Sequence, residues 1–261
     1  MKVATEVKNF IRSIDVTATS DECLITKIDG GAARLQLPVY CGDQLAGGVV
    51  METSPAPPAA GAFEIWQPTG NYGDLGLSGG FYGDLERFQN VSSFVRFEPG
   101  VGLPGQVWNR RRVVVHEDLS THKGFLRSAG ASAESLETAI GIPVGDAEMS
   151  AAVVLLTSAT TPIADGIEVW SAGENQYELT YSHYVDDVDL SLRHTTGASQ
   201  GDDHGLVGLA VQAGGPVTST NGRILDPVGV SKSGGWIFGA AIPVFENGVM
   251  VEILNLLTVA R

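Results

Sequence analysis

The feature that most constrains this chain is that it says nearly the same thing twice. Glu64-Ile65-Trp66 recurs as Glu168-Val169-Trp170, and Gly102-Leu103-Pro104-Gly105 recurs as Gly205-Leu206-Val207-Gly208. Ile142-Pro143-Val144 recurs as Ile242-Pro243-Val244, with a further echo at Leu37-Pro38-Val39. The spacings are 104, 103 and 100 residues. They are too long for a solenoid unit and suit a whole small domain. The expectation is two copies of one α+β domain over residues 1–158 and 159–261, each a central antiparallel sheet flanked by short helices.

A chain of 261 residues can bury two cores of ordinary size. Its 43% hydrophobic and 18% charged content describes a folded protein. The net charge of −14, with only 16 Lys and Arg, argues against nucleic acid and anionic membrane surfaces as partners. Arg110-Arg111-Arg112 is the sole basic run and reads as a solvated rim. No apolar run reaches the roughly 18 residues a membrane span needs. With Cys23 and Cys41 as the only cysteines and no secretory stretch ahead of them, a reducing, cytoplasmic setting without a disulfide is expected.

Val3, Val7, Phe10, Ile11 and Ile14 are spaced as one face of a helix over residues 2–14. Strands are predicted at Leu35 to Cys41 and Ala46 to Thr53, followed by a Pro/Ala/Gly connector at 54–61. Further strands are predicted at Phe63 to Gln67, within Tyr72 to Tyr82, at Ser92 to Phe97 and at Val113 to His116. Glu98 to Gly105 reads as a turn-rich loop opening a short helix at Gln106 to Asn109, and Leu119 to Ala133 as partly helical. Leu136 to Val144 and Ala151 to Thr157 form a hairpin pair. The second copy restarts with Glu168 to Trp170 and Tyr177 to Tyr184. Asp186 to Asp189 makes a turn, and Leu190 to Thr195 is the return strand. Gly205 to Val211, Val217 to Thr218, Trp236 to Val244 and Val249 to Thr258 complete it.

Several motifs invite a chemical reading that their context does not support. Gly100-x-Gly102-x-x-Gly105 spells a dinucleotide fingerprint, but too few residues separate Gly105 from Val113 for a crossover helix. His116, Glu117, Asp118 and His122 crowd together without the converging spacing of metal ligands. Asp186-Asp187-Val188-Asp189 lacks the glycine and distal glutamate of a calcium loop. No Gly-x-Ser-x-Gly elbow is present. The expectation is a protein without catalytic residues, metal or cofactor.

The phrase Glu98-Pro99-Gly100-x-Gly102-Leu103-Pro104-Gly105-x-Val107-Trp108, followed by Val113-Val114-Val115 and Asp118-Leu119, resembles GAF domains. Leu136 to Val144 running into Ala151 to Leu156 resembles the closing strands of that family. The second copy matches through Gly205-Leu206-Val207-Gly208-x-Ala210 and Gly215-Pro216-Val217. The linker from Thr157 to Ile167 is too short for the long signalling helices that usually bracket GAF domains. A permuted or strand-shared tandem is therefore expected, with the hairpin at 35–54 closing the first copy's sheet. The resemblance implies sensory or regulatory ligand binding. It does not extend to the methionine-sulfoxide-reducing or bilin-attaching members, which use pocket cysteines, because none lies between Gly61 and Arg261.

Two sets of residues are candidates to line a pocket. In the second copy Tyr177, Leu179, Tyr181 and His183 alternate onto one strand face, and His194 on the return strand would meet them. Tyr181, His183 and His194 then form an aromatic surface with two imidazoles. In the first copy Phe94, Arg96, Trp108 and Phe125 are the counterparts. Ordinary packing is the competing reading of both sets, with two satisfied histidines in the second. The leading functional expectation is a non-catalytic, small-molecule-binding sensory or regulatory protein. The alternatives are a ligand-free scaffold for a protein partner or homodimer, and an enzyme of the methionine-sulfoxide-reductase type.

Overall fold

A computed structural model describes residues 9–19, 21–55, 60–70, 73–158, 160–174, 176–225 and 235–259. Strand makes up 49% and helix 18% of these residues, so they build curled antiparallel sheets with few helices rather than sheets fully flanked by them. There are three sheets among the described residues.

The first sheet holds β1 (Ile11–Thr17), β2 (Leu24–Lys27), β3 (Ala33–Cys41) and β4 (Gln44–Thr53) in the order β1-β4-β3-β2. Ile11 to Thr17 thus form a strand, not the end of the expected helix; Val3 and Val7 lie outside the described residues. A register shift between Ile11 and Ser13 against β4 explains the misleading spacing. The irregularity brings two buried side chains three residues apart, Ile11 and Ile14, onto one strand face. β-branched residues do the rest. The outer face is solvated, with Glu52 bridging Arg12 and Arg34 at 2.7 Å each.

The second sheet holds β5 (Gly61–Thr69), β6 (Asp74–Phe81), β7 (Arg96–Phe97), β8 (Val114–His116), β9 (Thr138–Gly145) and β10 (Met149–Thr157). Its order is β7-β6-β5-β10-β9-β8, and α1 (Glu86–Phe94), α2 (Gly102–Arg110) and α3 (Ser128–Ala133) accompany it. The third holds β11 (Gly166–Ala172), β12 (Gln176–Tyr184), β13 (Ser199–Gly201), β14 (Val217–Ser219), β15 (Trp236–Glu246) and β16 (Val249–Val259). Its order, β13-β12-β11-β16-β15-β14, repeats that of the second, with α4 (Gly205–Ala213) and α5 (Gly222–Leu225) alongside.

The hairpin at 35–54 does not close the second sheet, and β10 is not shared: it pairs with β5 and β9. Residues 92–94 end helix α1 rather than open a strand, because Phe88 and Ser92 form its buried face and Ser92 Oγ donates to the Phe88 carbonyl at 2.8 Å. Leu190 to Leu192 is a single 3-10 turn capped by the Asp189 side chain, and the edge strand comes later, at Ser199.

The repeated glycines have a steric cause. Gly102 and Gly205 open α2 and α4 at φ +66° and +62°. A Cβ on Gly105 would collide with the Glu98 carbonyl, and one on Gly208 would come 2.5 Å from the Asp203 backbone. Both helices therefore begin at the first glycine, four residues earlier than the sequence pattern places α2.

The three x-Pro-Val segments lie on β3, β9 and β15, and all three sheets turn their inner faces onto one core that includes Leu37, Met51, Ile65, Ile142, Val169 and Ile242. Each of these strands forms a hairpin with its successor, and each hairpin carries a register shift beside the Pro-Val step. Three residues beyond each proline stand Cys41, Asp146 and Glu246. Asp146 ties the turns together: its Oδ2 accepts from Gly42 N at 2.5 Å and Gly248 N at 2.7 Å, while Cys41 Sγ donates to the Gly248 carbonyl at 3.4 Å. Glu246 pairs with Arg112 at 2.7 Å. The backbone N–H of Val113 donates to buried Glu252 at 2.8 Å. Both cysteines are free, and burial pushes the Cys23 thiol up to about 12.

Candidate functional site

Strand alternation would send an apolar residue inward at positions 64 and 168, yet both are glutamates, 0% and 1% exposed. A carboxylate stripped of water is costly unless it is paired and hydrogen-bonded. Each unit meets that demand with the same first partners. Trp66 Nε1 donates to Glu64 at 3.0 Å and Tyr82 Oη donates to it at 2.9 Å. Trp170 Nε1 donates to Glu168 at 2.8 Å and Tyr184 Oη donates to it at 2.6 Å.

The cation differs. In the first unit Arg127, delivered by the segment between β8 and β9, forks onto both Glu64 oxygens; one bond is 2.9 Å, and Nη1 also donates to Ser92 Oγ at 2.6 Å. Its guanidinium carbon lies 4.6 Å from the Phe88 ring centroid, 5.2 Å from Trp66 and Phe125, and 5.7 Å from Phe97. The Arg127 side chain is 1% exposed. Burial, then the neighbouring Glu64 charge, pushes the Tyr82 hydroxyl far up.

In the second unit His194, delivered by the segment between β12 and β13, sets Nδ1 2.7 Å from Glu168 Oε1. Its ring meets Trp170 edge-on at 5.6 Å, its backbone N–H donates to Tyr184 Oη at 2.9 Å, and its side chain is 34% exposed. Asn255 adds a donor at 3.3 Å. Burial alone would raise the Glu168 carboxyl, but the bonds from His194, Tyr184 and Trp170 outweigh it and hold it below the usual range.

Tyr181, His183 and His194 do not share one face. The register shift between Val169 and Trp170 leaves Tyr177 and Leu179 in the second unit's own core and turns Tyr181 onto the core between the sheets. The first unit has the same shift between Ile65 and Trp66. His183 Nδ1 reaches across to Glu117 Oε1 at 2.8 Å. A trough of about 200 Å³ runs between the units, lined by Glu137, Thr138, Ile163, His183, Tyr184 and Asp186 among others. Tyr184 therefore belongs both to the trough and to the Glu168–His194 centre.

In the first unit Phe94 is 86% exposed, and Arg96 is exposed with Nη1 donating to the Val95 carbonyl at 2.9 Å. Trp108 packs on the unit's core from α2. Of the four candidates only Phe125 reaches Arg127; it also stacks on Phe88 at 6.4 Å. His116 is buried, stacked on His122 at 3.8 Å, and burial, followed by the charges of His122 and Arg110, lowers its pKa to about 4. Glu64, Arg127, Glu168 and Tyr184 escaped the sequence reading, although a glutamate inside an apolar strand, repeated before Trp, was the available signal.

No family model and no curated protein matches the chain. Among solved structures it is similar to the GAF domain of A. aeolicus nlh2 in an inactive state, at 22% identity over 37% of this chain and 57% of that one, with a TM-score of 0.30. It is also similar to S. aureus NreA mutated in its nitrate binding site, at 13% identity over 41% and 79% of the two chains, with a TM-score of 0.33. A GAF domain/HD domain protein from Geobacter sulfurreducens matches at 15% identity over 40% and 67%, also with a TM-score of 0.33. This chain thus spans little more than half the length of the first of these.

Proposed function

We propose that this chain is a non-catalytic sensory or regulatory module that binds a small molecule through its second six-stranded unit, with the Glu168–His194 centre and the adjoining trough as its receptor. One observation carries the reading. Two units built alike close the same buried carboxylate differently, one with a sequestered arginine and one with a third-exposed imidazole. Tyr184 lines the trough, donates to Glu168 and accepts from the His194 backbone, so an occupant would be coupled to the buried centre. Glu137 and Asp186 on the trough wall, with a net charge of −14, favour a neutral or cationic polar ligand over an anion. A concave surface with a few placed polar groups is what small-molecule recognition needs. Among the described residues no helix is long and apolar enough to cross a membrane.

A thermal-shift screen of polar metabolites at about pH 5.5 and 7.5, spanning ordinary imidazole titration, should return a ligand. Its binding should weaken at least tenfold in both His183→Ala and His194→Ala. A ligand indifferent to both substitutions would refute the site. The scaffold alternative has its own observation: Val91 and Phe94, one helical turn apart on α1, are 41% and 86% exposed. Native mass spectrometry showing an assembly that Phe94→Ser dissolves, without any ligand, would favour it.

A further inference from the structure

The centre of the first unit has the architecture of a receptor whose guest is already in place. Four aromatic rings surround one guanidinium, a carboxylate receives its two terminal nitrogens, and a serine hydroxyl accepts from one of them. Glu64 is itself held by the Trp66 indole and the Tyr82 hydroxyl, so the anion is oriented independently of Arg127. The third nitrogen, Arg127 Nε, is buried and has no acceptor. Recognition is thus concentrated on the terminal fork, while the nitrogen carrying the alkyl chain is ignored. A planar cation with two free –NH2 groups and one substituent satisfies these contacts; a compact ammonium cannot bridge both carboxylate oxygens. Rings around a desolvated cation add to the ion pair.

We propose that the first unit contains a guanidinium-recognition site that takes monosubstituted guanidines, and that its resident ligand is the chain's own Arg127. The segment between β8 and β9 is the tether. Its residues Phe125 and Arg127 enter the cage together, and Arg127 also reaches Ser92 on α1, so the occupied site fastens α1 and the α3 segment to the sheet. The second unit keeps the carboxylate, indole and phenol, and among the described residues His194 stands where the first unit has Arg127. This inference does not depend on how the second unit functions.

Arg127→Ala vacates the site. We expect its Tm to fall by about 10 °C, as for loss of one partner of a buried ion pair. Methylguanidinium chloride at low millimolar concentration should restore at least half of that loss and bind one to one by calorimetry. Urea, sodium chloride at equal ionic strength and tetramethylammonium should not. The Glu64→Gln/Arg127→Ala double variant should bind no methylguanidinium, and the wild-type melt should be unmoved. A folded Arg127→Ala protein that methylguanidinium stabilises no more than sodium chloride does would overturn the proposal. So would equal rescue by urea or tetramethylammonium, or rescue that survives Glu64→Gln. If Arg127→Ala does not accumulate in folded form, it is refolded from denaturant with and without methylguanidinium. A folded yield raised only by the guanidine supports the site, and equal yields, including none in either, overturn it.

Discussion

Glu64 and Glu168 occupy matching points of matching sheets, each holding an indole two residues on and the hydroxyl of a tyrosine at the end of the adjoining strand or one residue past it. What closes them comes from different places. Arg127 arrives from the β8–β9 connection and disappears among aromatic rings; His194 arrives from the β12–β13 connection and stays partly exposed. The difference teaches that a buried carboxylate fixes the need for a donor, not the donor's identity or its source. A guanidinium stays charged over the whole accessible pH range and can fork onto both oxygens, which suits permanent closure. An imidazole exchanges its proton near neutrality, which suits response.

The largest test of this contrast is stability. Arg127→Met leaves Glu64 buried without its cation and should cost about 3–5 kcal/mol in urea unfolding. His194→Ala should cost only about 1 kcal/mol, because a partly exposed pair is screened and water can replace the ring. Comparable losses would erase the distinction between a closed and a responsive unit.

Acid unfolding separates the units next. His116, whose counterpart at the matching register of β14 is Ser219, has its pKa lowered from 6.5 to about 4. Over that window the unfolded chain binds a proton that the folded chain refuses, so stability falls as pH drops, by about 3 kcal/mol in all. Glu168 acts lower on the scale. Its depressed carboxyl contributes stability that is present above the unfolded carboxylate value and lost as pH falls through the folded one. Urea midpoints across pH 7 to 4 should therefore be flatter in His116→Leu, with the steeper acid limb below retained. An unchanged slope would show that His116 is not the group responsible.

The last test concerns how the units are joined. Asp146→Ala removes the shared acceptor of two turn amides and should cost about 1–3 kcal/mol. It should also accelerate hydrogen exchange at Gly42 and Gly248 while leaving the amides of β5 and β11 protected. Uniform acceleration would mean that the carboxylate supports the whole fold and not the junction.

Most strands from Leu35 onward were legible, those expected at Ser92 to Phe97 and Leu190 to Thr195 excepted, because alternation and β-branched residues report local burial directly. The glycine phrases were legible as repeats, though their meaning as helix starts pressed against a preceding carbonyl was not. At two of the places where the reading failed, an irregularity had altered the period. The shift at Ile11/Ser13 imitated a helical face, and the one at Val169/Trp170 sent Tyr181 and His183 away from Tyr177 and Leu179. Side-chain period reveals which face a residue takes only while the ladder is regular.

By itself, the sequence determined that two similar units exist, that each carries Glu-x-Trp on a buried strand and that a third x-Pro-Val segment lies near the start. These are local facts, written in spacing and residue type. Only the tertiary structure decided that the early hairpin builds a third sheet instead of closing the second, that Asp146 joins three turns, and that Arg127 and His194 answer the same carboxylate from unrelated segments. The partners of Glu64 lie 2, 18 and 63 residues away along the chain, and His194 lies 26 from Glu168. A buried charge states in sequence that it must be neutralised. Which residue does so depends on packing that brings distant segments into hydrogen-bonding range.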